Sequence, residues 1–138
     1  MLNEQQRAWA TNELRKAYAA FNRGDIDGAV QLLDPKVEWI EPPEFPGGGE
    51  YKGVEGAKRY LLQSRDGAAE VISEPEKFIV AGNRIVVFVY ARVLPKNSNT
   101  WQEVRLADVY TFAGERVTEM RAFANRADAL RWVGLPPE

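Results

Sequence analysis

The chain has 138 residues, of which 45% are hydrophobic and 28% charged, and its formal net charge is -2. A chain of this length suits one domain, so residues 1–138 are expected to fold together and to bury roughly two-thirds of their unfolded surface. The nearly balanced charge excludes the strongly basic surface that attracts nucleic acids and anionic membranes. We therefore expect no nucleic-acid partner and no membrane partner.

Neither histidine nor cysteine occurs in the sequence. Their absence excludes Ser-His-Asp and Cys-His catalysis, histidine-ligated zinc and disulfide bonds. Proton transfer would have to use carboxylates, tyrosine or lysine, and we expect no metal and no other cofactor. The N-terminus is too polar for a signal peptide, and no apolar run approaches the roughly 20 residues that cross a bilayer, which predicts a cytoplasmic protein.

The N-terminal part has the pattern of a helical hairpin. Over residues 3–22 the apolar positions recur every three or four residues, which predicts an amphipathic helix that Gly24 ends. Asp25 is the expected N-cap of a shorter second helix, which Asp34 and Pro35 are expected to end.

A short strand and an irregular loop follow. Residues 36–41 alternate so that Trp39 and Glu41 share one face. Residues 42–52 read PPEFPGGGEYK, and three prolines with three consecutive glycines argue against regular structure there. Two interpretations of this loop stay open: an exposed linker, or a pocket lid in which aromatic side chains such as Phe45 cover a ligand.

The rest of the chain contains a third predicted helix over residues 53–65 and a run of strands. The strands are predicted at residues 71–81, 84–94, 101–112 and 116–124, with a short terminal helix at 128–133. Pro75 cannot donate to a central ladder, so a bulge or a sheet edge is expected there. Helices followed by a long meander predict an α+β fold with helices packed on one face of an antiparallel sheet.

Three segments carry a likeness to known proteins: AYAAFNRGDIDGAVQLLDPKVEWIEP with its N-x-G-D-x-D-G turn, KGVEGAKRYL, and ADVYTFAGERVTEMRAF. They resemble the ketosteroid isomerases and SnoaL-like polyketide cyclases of the nuclear transport factor 2-like superfamily. The resemblance implies a cone-shaped, cystatin-like fold, with three N-terminal helices on a highly curved antiparallel sheet around a small-molecule pocket. It also implies a homodimer, formed through an outer sheet face that would otherwise expose Trp101 and Val109.

The same resemblance implies catalytic carboxyls. Glu41 and Pro42 fall where ketosteroid isomerases have a catalytic Asp-Pro pair, so Glu41 is the candidate general base. Asp108 matches the family's oxyanion aspartic acid, and it is the odd residue on an otherwise apolar strand face. We expect Asp108 to stay protonated while Glu41, at a wetter strand end, ionises. The alternatives are a solvated glutamate at a strand end and a salt bridge from Asp108 to an arginine.

The tyrosines depart from the family pattern by one residue. The family's oxyanion tyrosine aligns with Ala17, next to Tyr18, and its supporting tyrosine aligns with Leu61, next to Tyr60. One residue is about 100° around a helix, so Tyr18 joins the site only if its helix is rotated. The expected substrate-binding residues are Trp39, Phe45, Tyr60, Phe88, Tyr110, Phe112 and Met120.

Two functions stay open on this basis. The first is a cofactor-independent, ketosteroid isomerase-like enzyme, in which Glu41 moves a proton beside the carbonyl of a hydrophobic compound and Asp108, with Tyr18, stabilises the enolate oxygen. The second is a non-catalytic module that binds a small hydrophobic ligand or dimerises. An epoxide hydrolase or cyclase ranks third, because the cyclase aspartate is replaced by Asn125 and an Asp-Arg-Asp cluster would need Arg121 at the site.

Overall fold

The computed structural model describes residues 1–137, and six of the elements in that range are strands of one curved sheet. In chain order the elements are α1 (Glu4–Asn22), α2 (Ile26–Ala29), β1 (Leu33–Glu41), β2 (Gly49–Lys52), α3 (Gly53–Asp66), β3 (Ala68–Ala81), β4 (Arg84–Pro95), β5 (Gln102–Ala113), β6 (Arg116–Phe123) and α4 (Arg126–Trp132). The strand order is β2-β1-β6-β5-β4-β3. The predicted α+β class, with three helices before the meander, is confirmed.

One pairing in the sheet is parallel. β1 and β2 are antiparallel, and so are the three pairs of the meander, but β1 lies parallel to β6. The prediction of a wholly antiparallel sheet therefore needs this one refinement. A parallel pair requires a long connection, and here most of the chain lies between the two strands. At Pro75 the register of β3 shifts, and β3 is an edge strand, as predicted.

The second helix is shorter than predicted. Asp25 caps it by accepting a hydrogen bond from the Gly28 amide at 2.9 Å, but α2 is a single turn. The chain then enters β1 at Leu33, so Asp34 and Pro35 lie in a strand and do not end a helix. The helix ends early because Leu33 pairs with β6 in the folded sheet. The register shift after Leu33 leaves room for Pro35, which cannot donate a hydrogen bond to the ladder.

The proline- and glycine-rich loop contains a strand that was not predicted. Residues 49–52 form β2, which pairs with the end of β1. The tight turn before it depends on Gly48, because a Cβ there would lie 2.4 Å from the carbonyl oxygen of Pro42. The loop therefore folds back over the end of β1, and the prediction of no regular structure is wrong for its last four residues.

Apolar side chains cover both faces of the sheet. The larger cluster lies between the inner face and α1, α2 and α3, and the smaller one lies between the outer face and α4. Val109 belongs to the smaller cluster and is 0% exposed, so the expectation that a monomer would expose it is wrong, whereas Trp101 is 41% exposed. The homodimer stays a prediction. Within residues 1–137 the helices are all too short or too polar to cross a bilayer.

Candidate functional site

A cavity of about 570 Å³ lies between the inner face of the sheet and helices α1 and α3. Its wall is largely aromatic and aliphatic, and the carboxyl groups of Glu41 and Asp108 both lie in it. The exposed side chains of Gln102 and Glu103 belong to the rim. A space of this size suits a small organic molecule.

The carboxyl of Glu41, at the end of β1, is 6% exposed. Its Oε2 accepts a hydrogen bond of 2.8 Å from the indole Nε1 of Trp39, and the phenol of Tyr60 is a second hydrogen-bond partner. Burial, helped by the negative charge of Asp108, raises the pKa of Glu41 to about 8, although both donors favour the charged form. The expectation of a wet, acidic Glu41 is wrong, because β2 and the loop before it cover the strand end.

Asp108 lies in the middle of β5 and points into the same cavity. Tyr18 donates a 2.5 Å hydrogen bond to its Oδ2, and Tyr110 donates one of 2.9 Å to the hydroxyl oxygen of Tyr18. Burial raises the pKa of Asp108 to about 6, and the Tyr18 hydrogen bond opposes that rise. The partner of Asp108 is therefore a tyrosine, and the alternative of an arginine salt bridge is wrong.

The two carboxyls titrate as a pair, because the charge on Asp108 disfavours a second charge on Glu41. Asp108 ionises first, at a pH near 6, and Glu41 follows near 8. Near neutral pH the pair therefore holds about one proton, and the higher pKa at Glu41 favours that carboxyl. This is the reverse of the predicted order, in which Asp108 stays protonated and Glu41 ionises.

A family model for the SnoaL-like domain matches residues 14–120, which include both carboxyls and all the residues that line the cavity. The chain belongs to the SnoaL-like domain family. An uncharacterised protein of Mycobacterium tuberculosis is 28% identical over 113 residues, covering 80% of this chain and 84% of the relative.

Solved structures share the fold. A nuclear transport factor 2-like protein of unknown function from Burkholderia pseudomallei matches with a TM-score of 0.76 and 26% identity, over 91% of this chain and 97% of the other. A hypothetical protein with a ketosteroid isomerase-like fold from Catenulispora acidiphila, solved in complex with trimethylamine, matches with a TM-score of 0.72 and 16% identity, over 99% and 96%. The second likeness shows the fold alone.

Tyr18 of this SnoaL-like domain reaches the cavity despite its displacement by one residue. Both Ala17 and Tyr18 line the cavity, and the ring of Tyr18 meets that of Tyr110 edge-on at 6.3 Å. Tyr60 lines it beside Glu41. Helix α1 is therefore oriented so that Tyr18 faces the cavity. The Tyr18 hydroxyl donates its hydrogen bond to Asp108, however, and not to the open space of the cavity.

Four of the expected substrate-binding residues lie on the cavity wall: Trp39, Phe45, Tyr60 and Tyr110. Phe88 does not, because strand alternation places it on the outer face, in the cluster under α4. Phe112 lies beyond a register shift in β5 and borders a smaller cavity near Leu2 and Trp9. Met120, paired with both Trp39 and Tyr110, is 1% exposed and fills the core between them.

Sequence reasoning missed part of the wall. The cavity is also lined by Val89, Ala91 and Val93 of β4. These residues are spaced two apart and so lie on one face of the strand, which could have identified them from the sequence. The loop lines it through residues 45–47, and the hydroxyl of Tyr51 donates to the Gly47 carbonyl at 2.6 Å. These contacts favour the pocket-lid interpretation of the loop over the exposed linker.

Arg121, which an epoxide hydrolase cluster would need, lies outside the site, and so does Arg105 of β5. The guanidinium of Arg105 stacks 4.4 Å from the Tyr90 ring, and that of Arg121 lies 4.9 Å from the Trp132 ring on the outer face. Asn125, at the position of the cyclase aspartate, caps α4 by accepting a hydrogen bond from the Ala127 amide. The site therefore lacks the parts that these two activities use.

Proposed function

We propose that this SnoaL-like domain is a cofactor-independent, ketosteroid isomerase-like enzyme that enolises a hydrophobic carbonyl compound. The observation that carries the proposal is the pair of carboxyls, the buried Glu41 and the partly buried Asp108, in one largely apolar cavity and with pKa values of about 8 and 6. Two acids whose pKa values are separated in this way are suited to one acid role and one base role.

The reaction assigns a proton movement to each carboxyl. The Asp108 carboxylate takes a proton from the carbon next to the substrate carbonyl, and the Glu41 carboxyl gives its proton to the carbonyl oxygen, which leaves a neutral enol. Asp108 then gives its proton to the original or a conjugated carbon while the enol oxygen returns its proton to Glu41, which regenerates the enzyme. These roles are the reverse of those expected from the family alignment, and Tyr18 becomes a positioning residue that holds Asp108.

The test is hydrogen–deuterium exchange at the α-carbon of a panel of hydrophobic ketones in deuterated buffer, followed by mass spectrometry. We expect Glu41→Gln and Asp108→Asn each to slow exchange by about a hundredfold or more, because an amide of the same shape cannot transfer the proton. Glu38→Gln, on the exposed face of the same strand, is the matched control and should exchange like the wild type. Equal rates in wild type and both site variants would refute the enzyme.

A second candidate is a binding module without chemistry. The Tyr18 hydroxyl favours this alternative, because it donates its hydrogen bond to Asp108 and therefore cannot donate one to a substrate oxygen. Under this alternative a ketone binds the cavity, but its α-proton exchanges no faster with the protein than in buffer. The same experiment, combined with a binding measurement on the ketone that is tested, separates the two candidates.

A further inference from the structure

The cavity is lined by acids without a compensating base. Among the described residues that line it, three carry carboxyls, Glu41, Glu103 and Asp108, and none is a lysine or an arginine. The hydrogen-bond partners of the two inner carboxyls are a neutral indole and neutral phenols. A negative charge that is withdrawn from water without a nearby positive charge is costly. No side chain of the wall supplies that positive charge, and a cationic ligand could supply it.

Arg92 and Arg105 of the sheet and Arg126 of α4 are held by aromatic rings on the other face of the sheet. Arg92 and Arg105 stack on the ring of Tyr90 at 5.0 and 4.4 Å, and Arg126 lies 4.8 Å from the ring of Phe88. Strand alternation separates Arg92 and Arg105 from Asp108, which points inward from β5. Each guanidinium would lose its contact with an aromatic ring if it turned toward the cavity. These contacts therefore favour an inner wall that has carboxyls and no arginine.

The rest of the wall also suits a cation with an apolar body. The rings of Tyr18, Trp39, Tyr60 and Tyr110 all line the cavity, and aromatic faces attract ammonium groups. Aliphatic residues of β4 and β5 provide the apolar surface beside them. Each ionised carboxylate has about four acceptor positions, so Glu41 and Asp108 can accept from a ligand while keeping the bonds they already accept.

We propose that the ligand of this cavity is a hydrophobic amine, bound in its protonated form between the carboxyls of Glu41 and Asp108. The inference rests on the proposed function for the identity of the site, but an ammonium group between the two carboxyls takes the place of the reacting carbonyl group, so the amine is a competing ligand of the site and not the substrate of the enolisation. It concerns binding alone, however, and binding is measurable in the absence of turnover.

Amine binding is linked to the protons of the site. A bound cation stabilises both carboxylates and lowers their pKa values, so near pH 7, where Glu41 is protonated, binding releases up to about one proton. The other titratable groups at the cavity are the three tyrosines and Glu103. Tyr18, Tyr60 and Tyr110 have raised pKa values and stay protonated, and Glu103 lies at the exposed rim.

The experiment is titration calorimetry with three probes of similar shape: phenylbutylamine, phenylbutanol and phenylbutyrate. Near pH 7 we expect the amine to bind about tenfold or more tightly than the alcohol, and the carboxylate to bind most weakly. Repeating the amine titration in buffers of different ionisation enthalpy should reveal proton release. Absence of amine binding, or a carboxylate that binds as tightly as the amine, would overturn the proposal.

Two variants and a control locate the effect. Asp108→Asn should weaken amine binding by about tenfold while leaving the alcohol nearly unchanged, and Glu41→Gln should remove the proton release. Glu38→Gln removes one carboxylate outside the cavity and should change neither quantity. An unchanged amine affinity in a folded Asp108→Asn protein, checked by its melting curve, would refute the site. If that variant does not fold, persistent proton release in Glu41→Gln is the refuting result.

The outcomes for binding and for chemistry are distinguishable. If ketones exchange no deuterium but the amine preference holds, the enzyme fails and the cavity remains an amine site. If exchange is carbonyl-specific and the three probes bind without regard to charge, the enzyme stands and the amine inference fails.

Discussion

The two faces of β5 differ in what covers them. Val109 points outward and is fully buried under Ala129 and Leu130 of α4, whereas its neighbour Asp108 points inward to a cavity. The outer face is filled by apolar side chains and stabilises the fold. The inner face keeps open space, a buried carboxyl at Glu41 and a partly buried one at Asp108. Open space and desolvated carboxyls both lower stability. This difference between the two faces supports the proposal that the inner face binds a ligand.

The largest effect is expected on the filled face. Leu130 is 2% exposed, and Leu130→Ala should lower the free energy of unfolding by about 3 kcal/mol because it leaves a cavity in a packed cluster. Urea denaturation measures this loss. Ketone exchange and amine binding per folded molecule should not change, and a loss of either would mean that the two faces are coupled.

A replacement on the open face should act in the opposite direction. The pKa of Glu41 is raised from 4.5 to about 8, so between these values the folded state holds a proton that the unfolded state has lost. Stability therefore falls as the pH rises through this window, and Glu41→Gln removes that dependence. Near pH 9, where the wild-type protein must keep a charged carboxylate in this site, we expect the variant to be more stable than wild type by roughly 2 kcal/mol.

Urea midpoints of both proteins at pH 5 and pH 9 test the sign. The advantage of Glu41→Gln should be small at the lower pH, where the wild-type carboxyl is neutral. A variant that is less stable than wild type at pH 9 would show that the site is optimised for folding and would remove the contrast between the faces.

A smaller effect is expected at Tyr18. Tyr18→Phe removes the donor to Asp108 and the acceptor of the Tyr110 hydroxyl, which should lower stability by about 1 kcal/mol. Because this hydrogen bond holds the pKa of Asp108 down, its loss should raise that pKa above about 6. The carboxyl carbon resonance of Asp108, followed by NMR across a pH titration, measures the shift. A purely structural Tyr18 would alter stability without moving this titration.

The smallest effect on stability is expected in the loop. Phe45 lines the cavity and is only half-buried, so Phe45→Ala should change the free energy of unfolding by less than about 1 kcal/mol. If the loop covers the ligand, the same change should weaken phenylbutylamine binding severalfold. If calorimetry shows that Phe45→Ala binds phenylbutylamine as tightly as the wild type, the loop is a linker and not a lid.

Several features of this SnoaL-like domain followed from the sequence alone. The periodic apolar positions predicted α1, α3 and the meander, and strand parity predicted that Glu41 shares a face with Trp39 and that Asp108 faces inward. The same parity, read along β4, would have put Phe88 on the outer face. These are local properties, because the repeat of a helix or strand fixes which side chains share a face.

Other features required the tertiary structure. Only the folded chain decides that Tyr18 donates to Asp108, that α4 covers Val109, and that β2 folds back to bury Glu41. The order in which the carboxyls ionise depends on those contacts, since burial and a neighbouring charge set a pKa and neither is local in sequence. The sequence determined which residues could meet at the site, and the packing of distant segments decided how far the pKa of each acid is raised.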